Sequence, residues 1–158
     1  MVSPAEWGPN AWKLLHGIAE RVGRHSIFLM ARDEQLALGF TLKRFWQLLP
    51  CKQCQTHYRE WLHKSPSDVF TSKSGAYLRE DMRHWVFRLH EDVNARRGLE
   101  SGFQMDTLQA TYSNLPLREY ANHLKSFYQR GVLAKVLQPE EWKAAWKQLD
   151  LLLRFIGV

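Results

Sequence analysis

Apolar residues recur along this chain at the spacing of an α-helix, and no segment alternates convincingly as a strand would. Leu78, Met82, Trp85, Leu89 and Val93 fall at relative positions 0, 4, 7, 11 and 15, one face of a helix expected from about Ser74 to Arg97. Arg96, Arg97 and Gly98 suit the end of that helix. Trp12, Leu15, Ala19 and Val22 fall at 0, 3, 7 and 10, with Gly23 as the stop. Ser3-Pro4-Ala5-Glu6 reads as a capping box opening a short turn, and Gly8-Pro9 as the start of the longer first helix. A second helix is expected from Asp33, a plausible N-cap, to Leu49. Leu36, Leu38, Phe40, Leu42, Phe45 and Trp46 place it centrally in the core. Pro50 stops it and suits the first position of a third helix, from Cys51 to about His63. Further helices are expected at Asp106, after Pro116, and from Pro139 to about Phe155.

The 158 residues suffice for one domain with its own core. At 45% apolar and 24% charged, the composition excludes collagen, low-complexity tails and wholesale disorder. No apolar run reaches the roughly 18 residues of a membrane span, and the opening residues lack a secretory pattern. The net charge of +6 is scattered, so solvated helical faces are expected rather than a nucleic-acid site, and neither nucleic acid nor membrane is expected as a partner.

Only two cysteines occur, and both lie in Pro50-Cys51-Lys52-Gln53-Cys54. Two cysteines cannot staple a small secreted fold, so redox chemistry or a metal is indicated. At a helix start, unpaired N–H groups and the helix dipole favour a thiolate, and Lys52 adds positive charge. A thioredoxin-like site would need a βαβ unit, for which no strand is visible. Zinc could use Cys51, Cys54, His57 and His63, giving a metal-stabilised helical binding module. A dithiol beside a redox cofactor in a helical bundle is the third possibility. The glycines never form G-x-G-x-x-G, so helix side chains would have to hold any dinucleotide. Trp12 and His16 are spaced for it on the first helix, as are Trp85, His90 and Asn94 on the fourth. Arg96 and Arg97 could meet a pyrophosphate. Each of these residues also has an ordinary structural reading, which periodicity alone does not exclude.

Three segments, taken in order, resemble the Erv/ALR family of FAD-linked sulfhydryl oxidases. They are Trp7-Gly8-Pro9-Asn10-Ala11-Trp12-Lys13-Leu14-Leu15-His16, Pro50-Cys51-Lys52-Gln53-Cys54-Gln55-Thr56-His57, and Leu89-His90-Glu91-Asp92-Val93-Asn94. They fit the family patterns W-x-x-L-H, P-C-x-x-C and H-x-x-V-N. The W-G-P opening looks most like members from large DNA viruses. The resemblance implies four bundled helices plus a short fifth, holding FAD, with additional C-terminal helices. It implies a core over residues 1–104 and a helical extension over 105–158, within a single domain.

It further implies an FAD-dependent thiol oxidase with Cys51 and Cys54 as the catalytic pair. Cys51 would exchange with substrate, and Cys54 would lie beside the isoalloxazine. Gly8, Trp12, His16, His57, Trp85, His90, Val93, Asn94, Arg96 and Arg97 would bind the cofactor, and no metal is implied. A substrate thiolate would attack Cys51, and dioxygen would finally take the electrons as hydrogen peroxide.

The chain departs from many members in having neither a second shuttle dithiol nor a structural disulfide. A separate dithiol protein, thioredoxin-like or another C-x-x-C carrier, would therefore meet Cys51 directly. Gly98-Leu99 stands where many members have Gly-Lys, so Arg96 or Arg97 would substitute. Tyr112, Tyr120, Phe127, Tyr128, Trp142 and Trp146 are expected to be core. A homodimer is expected, as is a cytoplasmic location: host cytoplasm or virion if the source is viral.

Overall fold

The computed structural model describes residues 2–100, 102 and 104–158. Its helices are α1 (Pro4–Arg21), α2 (Phe28–Arg44), α3 (Lys52–Lys64), α4 (Gly75–Arg96), α5 (Leu108–Tyr112), α6 (Leu117–Lys125), α7 (Tyr128–Leu133) and α8 (Pro139–Phe155). No strand occurs among the described residues, so the chain is all-α.

The capping box forms as read from the sequence: Ser3 Oγ accepts from Ala5 N–H, and Glu6 Oε2 accepts from Ser3 N–H at 2.8 Å. It opens α1 itself, however, rather than a separate turn. Pro9 lies inside the helix and removes one ladder donor. Burial of Trp7, Ala11, Leu14 and Leu15 on the same helix holds it continuous across that gap.

The second helix also differs from expectation. It starts at Phe28 behind Ile27, which offers no side-chain cap, so Asp33 is an exposed residue within it and not its cap. It ends at Arg44, and Phe45–Leu48 tighten into a 3-10 turn. Leu49 then turns extended, as the residue before a proline prefers. Phe40 lies on the outward face, 49% exposed, so it is not a core residue. Pro50 does not occupy the first helical position either, because Cys51 intervenes as the N-cap of α3.

Helices α1 and α4 run antiparallel. Trp12 meets His90, Glu20 meets Arg83, and the backbones touch at Gly23 and Gly75. Helix α3 is antiparallel to α4 as well, because Trp61 and Ser65 meet Trp85 while Glu60 meets Arg96. The start of α3, the start of α1 and the end of α4 therefore share one end of the bundle. Leu14, Ile18, Leu38, Leu42, Phe45, Leu78 and Met82 fill its centre. Helix α6 packs on α1 and α8 on α2, and their buried residues Leu117, Leu124, Leu149 and Leu152 join the same core. Among the C-terminal aromatics, Tyr112, Phe127 and Trp142 are buried as expected, whereas Tyr120, Tyr128 and Trp146 are only half-buried.

Charges are buried at the opposite end. Glu20 lies 2.8 Å from Arg83, and burial still holds its carboxyl above the usual range. Glu34 accepts from Gly23 N–H at 2.6 Å and faces His25 at 3.2 Å, and burial raises it too.

Candidate functional site

Pro50 and the extended Leu49 deliver the chain to α3 with Cys51 as its N-cap. Cys51 and Cys54 are joined as a disulfide, their Cα atoms 5.2 Å apart, a separation that suits the bond. The Cys54 N–H donates to Cys51 Sγ at 3.2 Å. One sulfur thus occupies the place of a capping oxygen, where the first-turn N–H groups and the helix dipole favour negative charge. Once the bond is broken, the same donors stabilise a thiolate. Both cysteines are half-buried beside the exposed Lys52 and Gln53.

Gln55 holds this turn in place. Its buried amide donates to Leu49 O at 2.7 Å and to Val136 O at 3.0 Å. The connection between α7 and α8 is thereby tied to the turn that carries the cysteines.

A ring cluster lies between the middle of α1 and the second half of α4. Trp12 and His90 stack with centroids 4.0 Å apart and planes 7° from parallel. His16 Nε2 and His90 Nδ1 share a hydrogen bond of 2.9 Å, in which one ring donates and the other accepts. Tyr112 stacks on the far side of His16, at 4.4 Å and 9°. Burial drives the His16 imidazole down to about 3 and that of His90 to about 4. Both rings are therefore uncharged at neutral pH. The Tyr112 phenol is pushed up to about 12 by the same desolvation.

Trp12, His57, His90, Val93 and Asn94 are each half-buried, and Gly8 is half-buried at the start of α1. Two residues depart from this pattern. Trp85 lies in the core, edge-on to Tyr58, Trp61 and Phe70, with its indole N–H donating to Ser65 O. His16 is itself buried and reaches the half-buried surface through His90. Arg96 is held in ion pairs with Glu60 at 3.0 Å and Asp92 at 3.1 Å, while Arg97 is exposed.

The zinc alternative loses both sulfur ligands to the disulfide, and His63 points into solvent. Among the described residues, no group of three or more His, Cys, Asp or Glu side chains is placed to hold a metal ion. Two open clefts of about 640 and 580 Å³ lie elsewhere, and neither is lined by Cys51, Cys54, Trp12 or His90.

Sequence reasoning missed two contributors. Tyr112 carried no signal beyond a core aromatic, because its partner is 96 positions away. Gln55 sits inside the cysteine segment, but nothing local announces a donor to Val136.

The profile of the Erv1/Alr family matches residues 9–114. A protein of Invertebrate iridescent virus 3 named for FAD-linked sulfhydryl oxidase activity is 31% identical over 96 residues, 60% of this chain and 58% of that protein. The mitochondrial FAD-linked sulfhydryl oxidase of Schizosaccharomyces pombe is 27% identical over 94 residues, 60% of this chain and 47% of its own length. A similarly named protein of Acanthamoeba polyphaga mimivirus is 22% identical over 124 residues, 77% of this chain and 80% of that protein. The chain thus spans only about half the length of the first two relatives. No solved structure matches.

Proposed function

Because the chain belongs to the Erv1/Alr family, we propose that it is an FAD-dependent sulfhydryl oxidase that forms disulfides in a separate dithiol protein. One observation carries the reading. The Cys51–Cys54 disulfide stands at the start of α3, in a bundle whose α1 and α4 pair Trp12 with His90.

The donor set fits a flavin dinucleotide. Trp12 and His90 offer flat faces, and Asn94 offers an amide that can both donate and accept. Arg97 offers charge for a pyrophosphate. Trp12, His57, His90, Val93 and Asn94 keep one side packed and one side open, as ligand contacts require. In this reading these residues, with Gly8 and Arg97, hold FAD. His16 fixes the His90 ring from behind, and Trp85 supports α4 from the core. A bound flavin supplies the acceptor for the electron pair that the reduced cysteines carry, and the route by which dioxygen takes it as hydrogen peroxide.

The protein's own part is thiol exchange. A substrate thiolate attacks Cys51 Sγ, the Cys51–Cys54 bond breaks, and a mixed disulfide forms. Cys54 leaves as a thiolate in the first turn of α3. The second substrate thiol, deprotonated, attacks the substrate sulfur of the mixed disulfide and releases oxidised substrate. Cys51 and Cys54 remain as the dithiol, now holding two electrons. The partner is a dithiol protein, thioredoxin-like or another C-x-x-C carrier. Residues 1–104 form the family core of a single domain and residues 105–158 its extension. A homodimer in the cytoplasm, or in a virion, completes the reading.

The test is a spectrum of the purified protein followed by anaerobic titration with a dithiol. Flavin absorbance that bleaches in the wild type and not in Cys54→Ser is the expected result. Cys51→Ser should block turnover while leaving Cys54 able to perturb the flavin band. Colourless protein, or full turnover in either variant, refutes the assignment.

A further inference from the structure

The outward face of α2 is amphipathic in an unusual sense. At about 100° per residue, Leu29, Leu36 and Phe40 fall on one line along the helix. Leu29 is 70% exposed, Phe40 49%, and Leu36 half-buried. The exposed Arg32, Lys43 and Arg44 flank that line, and Asp33, the only carboxylate on the face, lies on it between Leu29 and Leu36. Arg24 lies just before the helix and is also exposed.

The start of the helix carries the argument further. Ile27, Phe28, Leu29 and Met30 are 60, 78, 70 and 40% exposed. Successive residues of this run point in directions about 100° apart, so the tip is apolar on several sides. A folded partner would cover one of those sides, whereas a fluid apolar phase covers all of them. A second copy of this chain is disfavoured by charge, because three cations against one carboxylate would face their own kind. A surface carrying dense negative charge over an apolar interior is complementary to both features.

We propose that α2 and its apolar tip bind the interface of an anionic membrane. The helix lies parallel to the surface, Ile27 to Met30 sit among the acyl chains, and Lys43 and Arg44 reach the headgroups, joined by the remaining donors of Arg24 and Arg32, which also hold Glu20 O and Thr71 O. No helix of the described residues is long and apolar enough to cross a membrane, and a surface-lying helix needs no such length. Each basic side chain near such a surface contributes about five-fold in binding, and each buried large apolar side chain about ten-fold.

The test is co-sedimentation of the full chain with vesicles of phosphatidylcholine alone or with 30 mol% phosphatidylserine, at two salt concentrations. Binding to the anionic vesicles at least ten-fold above the neutral ones, weakened by salt, is expected. Phe28→Ser with Leu29→Ser should lower it at least ten-fold while the melting temperature holds. Lys43→Gln with Arg44→Gln should reduce the preference for phosphatidylserine. Failure of the wild type to sediment with either vesicle overturns the proposal. So does a solution dimer that the Phe28→Ser/Leu29→Ser variant splits without any vesicle binding, which would assign the face to a second copy. Capture by poly-glutamate in place of vesicles would assign it to an acidic protein.

Discussion

His16 and His90 share one hydrogen bond in a dry place between α1 and α4. The unfolded chain takes up protons on both near pH 6.5, whereas the folded chain refuses them until about 4 for His90 and about 3 for His16. The unfolded state therefore binds more protons over that window, and stability falls as pH drops below about 6.5. The loss is up to about 1.4 kcal/mol per pH unit for each ring, less for the half-open His90. Glu20 and Glu34 act the other way: burial raises them, so acid relieves part of their cost. Urea unfolding of the wild type and of His16→Gln between pH 7 and 5 separates the contributions, and the variant should show the shallower slope. Gln55 gives a second expectation at this scale. Gln55→Leu strands the Val136 carbonyl, while Leu49 O keeps the Cys51 N–H, and should cost about 1–3 kcal/mol, read as a melting temperature lower by several degrees. The pairing of Trp12 with His16, and the one helix that carries His90 and Asn94, were legible because helical spacing and a known pattern agree. Tyr112 was not, because a stack between residues 16 and 112 leaves no local trace.

Backbone meets backbone where α1 ends and α4 begins. Gly23 has φ +77°, and a side chain there would run into the Gly75 carbonyl. Gly23→Ala meets both left-handed strain and backbone contact, and should destabilise by about 2–4 kcal/mol in urea unfolding. The α4 boundaries were legible, since Ser74 stands at the N-cap position, though its side chain makes no capping bond, and Gly98 follows the last turn with φ +67°. Those of α2 were not. Asp33 has the chemistry of a cap, but the helix begins uncapped among four apolar residues whose run shows no period. Tertiary packing of Leu38 and Leu42 sets that helix, and it leaves Phe40 outside.

The whole molecule depends on its last third. Helix α8 buries Trp142, Leu149, Leu152 and Leu153, worth about 6–12 kcal/mol at ordinary transfer values, comparable with the total stability of a domain. A fragment of residues 1–104 should therefore fail to fold cooperatively, which circular dichroism through a thermal ramp would show. The all-α class was legible from period alone. The seating of α6 on α1 and of α8 on α2 was not, because it joins faces that the sequence keeps far apart. The short α7 was missed for lack of a long enough period.

The glycine crossing has a mechanical corollary. Two backbones already in contact at one end of a helix pair cannot draw closer there, so a rocking of α1 against α4 that opens the other end pivots about that point like the limbs of a clothes-peg. The limbs meet again where Trp12 stacks on His90, so parting those rings leaves the fulcrum, and the charges buried around it, undisturbed.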